Sequence, residues 1–196
     1  EKIIDTRCQL GFYHGIMEAS LGNLTDDISV RLITQTCSRY PDNPVHRIGC
    51  QHVLGHGLMI NFNYDLPRTL ERCRSLVSDK IGRLCYFGAF MENVFVPLKV
   101  SVVGHPTLWI DDDDPDFPCT SDDIPRDPEV VNVCYFVQTL LWGAPYEDYN
   151  SKKVVAGCLR APKDARMLCF QGLGFGAASA EAALSENEVC YNICFT

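Results

Sequence analysis

The sequence predicts an all-α protein, a right-handed solenoid of about five disulfide-stapled helical hairpins with one irregular acidic insertion. Three observations lead there. Eleven cysteines are spread over 196 residues with no C-x-x-C pair among them, a pattern of disulfides rather than of zinc ribbons or redox dithiols. The chain repeats itself at its cysteines, with repeat starts separated by 42, 35, 49 and 35 residues, and periods of this size belong to stacks of paired helices. Apolar residues make up 46% and charged residues 21%, ordinary for a folded globular chain.

Five segments open alike: Cys8-Gln-Leu-Gly-Phe-Tyr-His-Gly, Cys50-Gln-His-Val-Leu-Gly-His-Gly, Cys85-Tyr-Phe-Gly-Ala-Phe-Met-Glu, Cys134-Tyr-Phe-Val-Gln-Thr-Leu-Leu and Cys169-Phe-Gln-Gly-Leu-Gly-Phe-Gly. Asn43-Pro44, Ser78-Asp79 and Asp127-Pro128 read as helix starts, with a capping residue or a proline in the first turn. Each cysteine then falls about one turn into a first helix of roughly 14–18 residues. Second helices are expected over Thr25 to Cys37, Asp65 to Cys73, Glu147 to Cys158 and Ser185 to Cys194, each begun by a capping residue or an acid. The third repeat departs from this scheme. Lys99 to Ile110 reads as a short hairpin turning at Gly104-His105-Pro106, and the Pro- and Asp-rich loop after it is expected to hold no helix. The repeats run over about 1–40, 41–77, 78–127, 128–161 and 162–196 of a single domain, 1–196, with the irregular insertion at 97–127.

In repeat length, in small-residue spacing such as Leu10-Gly11-Phe-Tyr-His-Gly15, and in having one cysteine pair per repeat, the chain resembles the tetratricopeptide and Sel1-like superfamily, especially its cysteine-rich secreted members. The resemblance covers most of the chain at the level of architecture. The full consensus is not met, and the 49-residue third repeat departs from it. Such families mostly hold partners on a concave face, so the resemblance implies binding more than catalysis.

The helices of a hairpin are antiparallel, which brings the start of the first beside the end of the second. That proximity favours Cys8–Cys37, Cys50–Cys73, Cys85–Cys119, Cys134–Cys158 and Cys169–Cys194, with Cys190 left over. A competing scheme staples each hairpin to the next through Cys37–Cys50, Cys73–Cys85, Cys119–Cys134 and Cys158–Cys169. Spacing alone leaves both open.

His52 and His56 stand at i, i+4, so both imidazoles project from one helical face. His14 occupies the position of His56 in the first repeat, with Glu18 one turn beyond it, and Met91 holds the same position in the third, followed by Glu92. Stacked first helices would bring His14, His56 and Met91 into a row, with Glu18, His52 and Glu92 nearby. Imidazoles with a carboxylate suit zinc or copper, and thioether sulfur favours copper(I). Glycines flank the row at Gly11, Gly15, Gly55, Gly57 and Gly88, where they allow close backbone approach. Ordinary helix packing explains the same residues without any ligand. In an enzyme built on them, His14 or Glu92 would be the acid or base beside a metal-bound water.

Net charge is −8, and residues 111–129 supply nine acids against one base, leaving sixteen of each elsewhere. This excludes a nucleic-acid groove. Asp111, Asp112, Asp113, Asp114 and Asp116 offer a carboxylate cluster for calcium, although without the order of an EF-hand loop; a solvated charge run or a docking surface for a basic partner is the other reading. No haem-attachment motif or phosphate loop occurs, and Gly172-Leu-Gly-Phe-Gly176 follows no strand, which argues against a nucleotide site. No apolar run is long enough to span a membrane. The cysteines imply an oxidising compartment: extracellular, periplasmic or lumenal. Asn23-Leu-Thr25 is a glycosylation acceptor fitting that setting. The chain opens on Glu-Lys-Ile-Ile and reads as a mature chain or an excised piece. The expected function is a binding or structural-interaction module engaging a protein partner or assembling with itself. A metal-dependent enzyme on the same histidine patch is the alternative, and a subunit of an extracellular assembly a further one.

Overall fold

A computed structural model describes residues 26–37, 44–76, 82–95, 107–144 and 149–178, and among them every regular element is a helix. In chain order these are α1 (Asp26–Cys37), α2 (Pro44–Asn61), α3 (Leu66–Arg74), α4 (Gly82–Phe95), α5 (Pro128–Gly143), α6 (Ser151–Arg160) and a helical stretch over 166–178, α7. Contacts divide the chain into two compact units, Glu1–Glu92 and Asn93–Thr196, with the division inside the third repeat. Among the described residues the predicted first helices recur as α2, α4, α5 and α7, and the second helices as α1, α3 and α6. The predicted Ser185 to Cys194 helix lies outside the described residues.

In the first unit α2 packs against both α1 and α3. Pro44 begins α2 because its fixed φ suits a first turn and its missing N–H is not needed there. Asn63 and Tyr64, with φ of 52° and 62°, turn the chain between α2 and α3, and the Tyr64 N–H donates to the Met59 carbonyl at 2.7 Å. Asp65 then caps α3: its Oδ1 accepts from the Arg68 N–H at 3.1 Å. Leu66, Leu70 and Cys73 form the buried stripe of α3. Val53, Leu54, Leu58 and Met59 of α2 join them in the core with Tyr86, Ala89 and Phe90 of α4.

In the second unit α5 is the central element and is packed by α6. Asn150 caps α6 by accepting from the Lys153 N–H at 3.1 Å. Gly157 lets α6 close on the Trp142 indole, where a Cβ would overlap the ring. Gly172 seats α7 on the Phe136 carbonyl of α5, while Gly174 has nothing within 4 Å of the position a Cβ would take. The Gly172 to Gly176 stretch is thus a helix-packing segment.

The cysteines correct the favoured pairing. Cys73–Cys85, Cys119–Cys134 and Cys158–Cys169 are bonded, with Cα–Cα distances of 5.6, 5.6 and 5.5 Å. This replaces Cys50–Cys73, Cys85–Cys119, Cys134–Cys158 and Cys169–Cys194. For Cys50–Cys73 the reason is helix length. Helix α2 has 18 residues and α3 only 9. At about 1.5 Å per residue, Cys50 lies about 16 Å back from the end of α2, whereas Cys73 is carried back only about 10 Å along α3. That offset, added to the width of two helices, exceeds the Cα separation a disulfide tolerates. The following turn brings the next first helix alongside instead. Cys8, Cys190 and Cys194 lie outside the described residues, as do the side chains of Cys37 and Cys50, so Cys8–Cys37 falls there too.

The insertion is ordered over 107–127 without a helix. The Pro115 carbonyl accepts from Trp142 Nε1 at 2.7 Å and from Gln138 Nε2 at 3.0 Å, and Trp109 stacks on Phe117 with centroids 5.7 Å apart. The Phe117–Pro118 peptide is cis. Residues 99–106 of the expected short hairpin lie outside the described residues.

Candidate functional site

Two glycines bring α2 and α4 together. A Cβ on Gly55 would overlap the Cys85 carbonyl oxygen and the Ala89 nitrogen, and one on Gly88 would overlap the His52 carbonyl. With the backbones this close, side chains one turn further along must meet. His56 Nδ1 lies 2.9 Å from Glu92 Oε2, with the two side chains 0% and 1% exposed. Tyr64 donates its hydroxyl to Glu92 Oε1 at 3.2 Å. His52 stands edge-on to His56 with ring centroids 5.4 Å apart, and 5.8 Å from Phe87. His52 and Met91 are half-buried.

Tyr64 is the member that sequence reasoning missed. Its left-handed backbone is uncommon for a bulky residue and costs of order 1–3 kcal/mol. It is held in that conformation where its ring is buried and its hydroxyl reaches Glu92. The one local signal was the Asn63-Tyr64-Asp65 turn ahead of α3, which says nothing of a partner 28 residues away. Of the remaining expected ligands, His14 and Glu18 lie outside the described residues, as does Asn23. Met59 is a fully buried core residue.

The same glycine-mediated contact occurs in the second unit. Gly172, three residues past its cysteine, meets the Phe136 carbonyl, two residues past its own. Gly88 and His52 stand at those same offsets. The positions equivalent to His52, His56 and Glu92 are Phe136, Leu140 and Gly176, with Leu140 buried and the Phe136 and Phe175 rings 5.7 Å apart. At the positions where one contact carries a buried acid–base pair, the other carries Leu140 and Gly176.

Among the described residues, no group of three or more His, Cys, Asp or Glu side chains is arranged to hold a metal ion. The acidic loop is engaged locally. Asp111 and Asp114 accept from the Asp113 and Asp116 N–H groups at 2.9 and 3.0 Å. Asp116 is gripped by Arg160, Nη2 to Oδ1 at 2.6 Å and Nε to Oδ2 at 2.9 Å, with the guanidinium 5.6 Å from the centre of the Trp142 ring. That hydrogen bond, outweighing partial burial, raises the Arg160 pKa. Burial, and next the Asp116 carboxylate, push the Tyr135 phenol up. Asp112 and Asp113 are exposed. No described helix is long and apolar enough to cross a membrane.

Comparison with protein-family models, with curated proteins and with solved structures finds no match to this chain.

Proposed function

We propose that the chain is a disulfide-stabilised helical-repeat protein of an oxidising compartment, acting as a binding or structural-interaction module. Its functional patch is centred on His52, His56 and Glu92, joined by Met91, His14 and Glu18, and it takes copper or zinc. The observation that carries this reading is the buried His56–Glu92 pair. The equivalent α5–α7 contact does without one, using Leu140 and Gly176, so helix packing alone does not call for it. A buried acid–base pair is often less stabilising than apolar residues of the same volume, so its presence at this contact supports a functional reading. Three bonded disulfides support the compartment.

Elemental mass spectrometry of the purified, unchelated protein tests the proposal. About one equivalent of copper or zinc, lost in His56→Ala, is the expected result and would justify assays for oxidation or hydrolysis on the same residues. No metal in either sample removes the metal site and the enzyme with it. Assembly with further copies or a protein partner is the second reading, favoured by exposed Val155, Leu159, Met167, Phe170 and Phe175 along α6 and α7. It requires elution above 22.0 kDa on a sizing column.

A further inference from the structure

We infer that Cys37 and Cys50 form a further disulfide, which fastens α1 to α2 and holds α1 in the fold. The inference rests on the disulfide-stabilised reading of the chain.

The three described bonds follow one rule. Each joins the cysteine of a second element to the cysteine of the next first helix, over 12, 15 and 11 residues. Cys73 stands one residue before the end of α3, and Cys158 two residues before the end of α6. Cys37 is the last residue of α1, and Cys50 follows it by 13 residues. Cys50 lies six residues beyond Pro44, which opens α2, just as Cys134 lies six beyond Pro128, which opens α5. The partner that hairpin proximity would give Cys50 is Cys73, and that cysteine is already bonded to Cys85.

Helix register agrees. Asp27, Ile28, Arg31, Leu32 and Gln35 of α1 are exposed, whereas Val30 is half-buried. Solvent takes the first side of α1. The side of Val30, which returns at position 37 after two turns, is left for α2, the helix against which α1 packs. On α2, position 50 shares a face with Val53, Leu54 and Gly57, all of them buried.

Such a bond matters to α1 in particular. A helix of 12 residues is marginal by itself. Its ion pair to α3 runs from Arg72 to an Asp27 that is 79% exposed, and pairs of that kind contribute little. The bond forms by exchange with a low-molecular-weight disulfide of the oxidising compartment. Each thiol gives up a proton, the two sulfurs together give up two electrons, and the oxidant leaves as two thiols.

Two measurements on the full chain test the inference. Trypsin cuts after Arg31, Arg39, Arg47 and Arg68, which places Cys37 and Cys50 in separate peptides. When free thiols are blocked without reduction, residues 32–39 should be recovered bonded to residues 48–68. In the double variant Cys37→Ser with Cys50→Ser, amide hydrogen exchange over α1 should be at least about tenfold faster, with α4 unchanged. Bonding of Cys37 to another cysteine overturns the inference. So does alkylation of both Cys37 and Cys50 when the three described bonds are recovered. Alkylation of all eleven cysteines overturns the disulfide-stabilised reading as well. Unchanged exchange over α1 in the double variant overturns the role of the bond in holding that helix.

Discussion

Gly88 lies against the backbone carbonyl of His52, so close that a methyl group at that position would overlap both carbonyl atoms. Gly172 meets Phe136 in the same way, with Thr139 Oγ1 also within 2.8 Å of where its Cβ would stand. In both cases the obstructing atom is backbone, which cannot swing aside. Gly88→Ala and Gly172→Ala should each cost about 1–3 kcal/mol by forcing helices apart. Gly174→Ala, in open space on α7, should gain about 0.5–1 kcal/mol of helix stability. Thermal melts of the three variants check the contrast, and equal losses at all three positions would remove the close-contact explanation.

The His56–Glu92 pair should behave as a unit. Removing one partner leaves the other buried without the hydrogen bond between them, so His56→Leu or Glu92→Ala alone should cost about 1–3 kcal/mol. The double substitution approaches the Leu140 and Gly176 pattern of the α5–α7 contact and should cost clearly less than the sum. Denaturant unfolding of the four-member cycle measures the coupling, and strict additivity would mean that the two side chains do not interact.

The Tyr135 phenol predicts a loss of stability in alkali. Its folded pKa lies above the usual value of about 10, because of burial first and the Asp116 charge second. The folded state then holds a proton that the unfolded chain gives up, so stability falls as pH rises. The contribution is fully present below about pH 10 and is lost as the pH climbs through the raised folded value. Tyr135→Phe should flatten that part of the stability–pH curve, compared by short denaturant melts that limit thiol exchange.

Arg160 should not be replaceable by lysine. Its two nitrogens grip both Asp116 oxygens while the guanidinium faces Trp142, a geometry that an ammonium cannot copy. The pair is partly exposed, so a cycle of Arg160→Lys and Asp116→Asn should show coupling of only about 0.5–1 kcal/mol. The Trp142–Pro115 hydrogen bond should still hold the insertion in place.

Non-reducing peptide maps should recover Cys73–Cys85, Cys119–Cys134 and Cys158–Cys169. Replacing Cys73 and Cys85 together by serine should cost about 3 kcal/mol, the usual value for closing a loop of that size. A map joining Cys50 to Cys73 would overturn the helix-length argument.

The helices were legible because their signals are local. Pro44, Asp65 and Pro128 mark helix starts, and buried positions recur at helical spacing within a few residues of them. The acidic insertion shows where such signals stop. Its composition describes a solvated run, yet Asp116, Pro115 and Phe117 are fastened to side chains 21 to 44 residues further along. Among the candidate site residues, His52, His56 and Glu92 could be picked out from i, i+4 spacing and repeat equivalence. Tyr64 could not, because its role arises from a turn that aims it at another helix.

From residue order alone follow the helical class, the cysteine-marked repeat, and the glycine and histidine positions on the first helices, since periodicity and capping act within a turn or two. The three-dimensional packing decided which cysteines bond, that Glu92 faces His56 rather than solvent, and that one glycine-mediated contact buries an acid–base pair where its counterpart places Leu140 and Gly176. Those outcomes depend on how far each second helix runs back along the first and on how closely two backbones approach. Both are properties of the assembled chain rather than of any short segment.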